Sequence, residues 1–93
     1  MAKVIWKVEL AITDEQTVRL PAGAIPLHAG QQHNEVCLWA LVDPTLTKQP
    51  MRVRIVGTGH PFEDADQWRH LSTVLVHGGS LVWHIFVPKE SRP

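Results

Sequence analysis

Nine Lys and Arg balance nine Asp and Glu across 93 residues, so no overall field draws the chain toward nucleic acid or an anionic membrane. At this length a single domain is expected over residues 1–93, with room for no second one, and its core buries only about two-thirds of the unfolded chain's surface. The lone cysteine, Cys37, excludes an intramolecular disulfide and points to a reducing compartment.

The N-terminal segment meets Lys7 too early for a signal-peptide apolar region, and no apolar run approaches the roughly 20 residues of a membrane span. A cytosolic protein is therefore expected. Val4 to Leu10 reads as a strand at an edge, with Val4, Trp6 and Val8 on one face and Ile5, Lys7 and Glu9 on the other. Thr13 to Gln16 resembles a capping-box turn, and Thr17 to Leu20 resumes an extended run that Pro21 ends. Ile25 to Gln32 can be extended but carries Pro26, which confines it to an edge, with a turn expected near Gly30 between His28 and His33. Glu35 to Asp43 is apolar on both faces, the signature of a central strand, and Cys37 within it reads as a small buried hydrophobe.

Asp43 to Pro50 reads as an exposed connection bounded by prolines, followed by a strand over Met51 to Val56 with Met51, Val53 and Ile55 inward and Arg52 and Arg54 outward. That strand runs into Gly57-Thr58-Gly59-His60-Pro61. Glycines there can turn backbone N–H groups into a concave cradle for an anion, with Thr58 and His60 as donors and the arginines compensating charge. The motif lacks the Walker spacing and the following helix of a dinucleotide fingerprint, so the same residues also serve as a plain strand-ending turn. Pro61 to Gln67, with Glu63, Asp64 and Asp66, reads as a mobile acidic loop leading to Trp68. Leu71 to His77 and Ser80 to Val87 form a hairpin about Gly78-Gly79, which sets Leu75 opposite Val82 and Thr73 opposite His84.

These elements predict an all-β fold: a small antiparallel β-sandwich or partly open barrel of about six or seven strands, ending in a Gly-Gly hairpin, with residues 88–93 as a flexible tail. Apolar residues on both faces of the central and C-terminal strands call either for a homo-oligomer or for a barrel that encloses both faces itself. The six histidines, at 28, 33, 60, 70, 77 and 84, lack metal-site spacing, and no nucleophile completes a pairing of His60 with the acidic loop. No metal, no cofactor and no catalytic residue is expected. The candidate ligand residues are Arg52, Arg54, Gly57, Thr58, Gly59 and His60, and the candidate protein contacts are Trp68, as an exposed platform, with His77 and His84.

The segments Ile5-Trp6-Lys7, Ile12-Thr13-Asp14-Glu15-Gln16, Cys37 to Pro44, Gly57 to Pro61 and His77 to Phe86, in this order, resemble a family of small uncharacterised proteins encoded by bacteriophages and prophages. The resemblance runs nearly end to end and implies a phage origin and an all-β chain, with no family activity, cofactor or catalytic residue to carry over. The expected function is a non-enzymatic, homo-oligomeric binding protein in the host-cell cytoplasm, a host-defence antagonist that sequesters a small anionic, nucleotide-like ligand. The alternatives are a virion or assembly accessory protein and a direct protein inhibitor of a host enzyme. Nucleic acid and membrane are not expected partners.

Overall fold

Proline and apolar pattern together assign most of the strands to their places in the computed structural model, which describes residues 2–91. The seven strands among them are β1 (Val4–Glu9), β2 (Glu15–Pro21), β3 (Ile25–Gln32), β4 (Glu35–Val42), β5 (Lys48–Gly57), β6 (Trp68–Val76) and β7 (Leu81–Pro88). They form two antiparallel sheets, β1-β4-β3 and β2-β5-β7-β6, packed face to face as a sandwich. The core between them takes Val36, Leu38, Ala40 and Val42 from β4, Val53 and Ile55 from β5, and Ile85 and Val87 from β7. These positions alternate along each strand, as one buried face requires.

Strand β4 is central in its sheet and β3 lies at the edge, as their sequences require. Cys37, on the outer side of β4, is 1% exposed. The turn between β3 and β4 is not at Gly30, which pairs with Cys37 in mid-strand, but at His33 and Asn34, whose φ values of 54° and 62° suit a two-residue hairpin loop. Strand β5 also starts earlier than its prolines suggest, at Lys48, and pairs with β2 through Pro50, which lies opposite Arg19. The Ile55 N–H bonds to Asp14 O at 3.1 Å, and this sets the parity of the ladder. By that parity Pro50 turns its nitrogen away from β2, on the side where pairing with β7 covers only Arg54 to Gly57, so no ladder bond is lost.

The β6–β7 hairpin has the register read from the sequence, with Leu75 opposite Val82 and Thr73 opposite His84. Its tip is looser than a two-residue loop. Ser80 N–H bonds to His77 O at 3.2 Å, but His77 N–H is drawn to Asn34 Oδ1 at 3.2 Å, and so the closing pair is half made. The bond ties the tips of the two hairpins together.

The sandwich is joined along one side, where β3 meets β6. Each strand carries a register shift there, between Pro26 and His28 and between His70 and Ser72. Directly after them the buried Ser72 hydroxyl accepts the Ala29 N–H at 2.9 Å and reaches His28 Nδ1 at 3.2 Å. Bulges bend and twist an edge, which lets these two strands approach across the sheets. At the C-terminus, residues 88–91 of the expected tail are held: Pro88 belongs to β7, Lys89 N–H bonds to Gln67 O at 3.3 Å, and the Arg69 guanidinium donates to Ser91 O. The rest of that expectation, residues 92–93, lies outside the described residues. No helix among the described residues is long and apolar enough to cross a membrane.

Ser72→Ala keeps the side-chain volume but leaves the buried Ala29 N–H without an acceptor. It should lower the unfolding free energy by about 1–3 kcal/mol in urea titrations. A loss below about 0.5 kcal/mol would show that the seam does not need this bond.

Candidate functional site

Arg52 and Arg54 project from the outer face of the four-stranded sheet, alternating with the buried Val53 and Ile55. Neither stands alone in solvent. Arg52 Nε contacts Glu15 Oε2 at 2.7 Å, and its guanidinium lies 4.7 Å from the Trp68 ring centre. Arg54 Nη1 contacts Asp64 Oδ1 at 3.2 Å and stacks over Phe62, 4.8 Å from its centre. The other oxygen of Asp64 accepts the Trp68 indole N–H at 3.2 Å.

The acidic segment between β5 and β6 is therefore a strap laid down over the outer sheet face. Phe62 meets Phe86 edge to face at 4.8 Å, and Asp64 clasps Arg54 and Trp68. Trp68 is 5% exposed, beneath this clasp, and offers no exposed platform to a partner. Its burial follows from the cation on its face and the carboxylate at its edge, a combination that satisfies both its π surface and its N–H. Asp64 is held below the usual carboxylate range, chiefly by the Trp68 hydrogen bond and further by its own backbone amide, Arg54 and Arg52. Glu15 is lowered in the same way, chiefly by its hydrogen bond with Arg52.

Beyond β5, Gly57 to His60 closes a turn in which His60 N–H bonds to Gly57 O at 3.1 Å, and Gly59 has the φ of 83° that such a turn needs at its third residue. The His60 ring folds back over Gly57, where an added Cβ would lie 2.8 Å from it. His60 thereby becomes the wall shared by a set of adjoining pockets. One, of about 230 Å³, is lined by Ile12, Thr13, Asp14, Gly57 and Trp83 besides His60 and Ile55. A second, of about 320 Å³, shares Asp14, Ile55 and His60 with the first and adds Arg54, Val56 and Pro61. Two polar atoms here are buried without a partner: Trp83 Nε1 and Arg54 Nε.

The chain matches the model of a domain of unknown function, DUF7352, over residues 1–93. It belongs to that family. No curated protein and no solved structure matches this DUF7352 chain.

Of the residues singled out in the DUF7352 sequence, the fold brings Arg54, Gly57, Thr58 and His60 around adjoining pockets, while Arg52 lies farther along the sheet in its pair with Glu15. Thr58 turns to the outer face, where its hydroxyl meets His84 Nε2 at 2.7 Å; His84 Nδ1 meets Thr73 Oγ1 at 2.9 Å, and Thr73 meets His70 Nε2 at 2.9 Å. His84 is thus half-buried in a relay of side chains, and His77 is exposed at the hairpin tip. Among the described residues no three His, Cys, Asp or Glu side chains are grouped to hold a metal ion. Burial pushes the Cys37 thiol up. Sequence reading missed Ile12, Asp14 and Trp83 as lining residues. Only the pairing of β2 with β5, which sets Asp14 beside Ile55, could have pointed to them.

Asp64→Asn removes the charge of the clasping carboxyl while keeping its shape. Because the folded carboxyl titrates below its unfolded value of about 3.9, its stabilisation is present above that value and is lost as pH falls through the folded one. Thermal denaturation across pH should find the native chain more stable than Asp64→Asn at neutral pH, with the gap closing below about pH 4. A gap that persists unchanged into stronger acid would assign the clasp no electrostatic part.

Proposed function

We propose that this protein is a phage-encoded, non-enzymatic binding protein that acts in the host cytoplasm as a host-defence antagonist and sequesters a small nucleotide-like ligand at the Gly57–Pro61 turn. The observation that carries the reading is the pair of adjoining pockets that share Asp14, Ile55 and His60. One has an apolar wall, Ile12 and Trp83, suited to a flat ring; the other contains the Arg54 guanidinium, suited to an anionic group.

The charges around the turn refine the ligand class. Arg54 already faces Asp64, and Asp14 lines both pockets, so a polyanion would meet two carboxylates for each guanidinium. A ligand with a single negative charge and an amino-bearing heterocycle fits better: the carboxylate of Asp14 accepts from the amino group, and the Arg54 guanidinium compensates the negative charge. Cyclic mononucleotides, with the one charge of their phosphodiester, meet this description, and nucleoside triphosphates do not.

Calorimetric titration with a panel of linear and cyclic nucleotides is the test. A cyclic member should release heat, and His60→Ala or Arg54→Ala should weaken its binding about tenfold or more, the loss expected when a charged or polar contact is removed. Gly57→Ala, which displaces the His60 ring, should weaken it as well while the β-sheet circular dichroism is retained. Absence of heat across the whole panel would overturn the proposal.

A further inference from the structure

Strand β1 is an edge of the three-stranded sheet, and its outer rim is bare. The other edges are blunted. β3 carries Pro26 and a register shift and abuts β6 at the Ser72 seam. β2 ends in Pro21, whose nitrogen faces the outer rim and offers it no N–H. β1 has no proline and no bulge, and it leaves Val4 and Ile5 41% and 59% exposed. Such an edge is a template for another strand.

The register of β1 on β4 shows which of its backbone groups face outward. Leu10 N–H bonds to Val36 O at 2.8 Å, in line with the pairing of Val4 with Val42 and Val8 with Leu38. Hydrogen-bonded and non-bonded pairs alternate in an antiparallel ladder, so Val4, Trp6 and Val8 bond to β4. Ile5, Lys7 and Glu9 turn their N–H and C=O groups away from it, and these groups meet no partner among the described residues.

We infer that β1 pairs with β1 of a second copy of this chain, antiparallel about a twofold axis at Trp6, to make a continuous six-stranded sheet. In this register Ile5 and Lys7 of opposite copies exchange backbone hydrogen bonds, Lys3 faces Glu9 at both ends, and Val4 covers Val8. The charges select this register over its neighbours. A twofold axis at Ile5 sets Lys3 against Lys7, and one at Lys7 sets that lysine against itself; like charges directly opposed are destabilising. An axis at Val8 pairs Lys7 with Glu9 but runs β1 past its end, so that Ile5 must pair with Ala11 outside the strand. The interface is isologous, and closure about the axis limits it to two copies.

Sedimentation velocity over a range of concentrations tests this with charge swaps that leave the fold alone. Lys3→Glu and Glu9→Lys should each weaken the dimer about tenfold, since each replaces two facing opposite charges by two like ones, and the double variant should restore it. Lys7→Pro removes one outward N–H that β4 does not use, and should give a folded monomer. A native chain that stays monomeric at every concentration overturns the inference, as does a dimer that neither the reversals nor Lys7→Pro disturb.

Discussion

The joint between β3 and β6 organises the molecule, and one buried hydroxyl stands at its centre. Two sheets packed face to face need a reason to align, and apolar contact alone gives little direction. Ser72 supplies direction by accepting a backbone N–H from the opposite sheet at a point where both strands are bulged. Without an acceptor there, the Ala29 N–H would be buried and unpaired. Because the two sheets are joined on this side only, the sandwich stays open along the other, at the edges β1 and β2.

That asymmetry divides the surface into parts with different chemistry. On the outer face of the four-stranded sheet the strap covers Trp68 and part of Phe86, and two charges that look available in the sequence are paired: Arg52 with Glu15 and Arg54 with Asp64. What stays open lies at the end of the sandwich, where His60 leans on Gly57 and the Ile12–Asp14 turn comes up beside it. The β1 edge is open in a different sense, through backbone groups.

The strand pattern was largely legible because alternation and proline act locally. The central place of β4, the edge place of β3 and the register of the last hairpin all follow from a few adjacent residues. What was not legible depends on pairs far apart in the chain. The ladder that carries Pro50 needs β2 as a partner, and the seam needs two bulges that leave no periodic mark. Trp68 misled for a physical reason: next to an acidic loop it reads as exposed, but Asp64 accepts its N–H and Arg52 lies over its ring, so it is buried. The candidate site was half legible: Gly57 and His60 are in it, while the apolar wall of Ile12 and Trp83 is assembled only by the fold.

The bond between the hairpin tips, from His77 N–H to Asn34 Oδ1, has a bearing on time. Its partners stand 43 residues apart in the chain, the same separation as Ala29 and Ser72. Each hairpin can close by itself within about 1–10 μs, whereas joining them must first overcome the entropy of a long intervening loop. Tip and seam span the same separation, so a contact at either one shortens the loop that the other must close. Before the sheets dock, the face of β4 that carries Val36, Leu38, Ala40 and Val42 lacks its apolar cover, and exposed apolar surface of this kind favours aggregation.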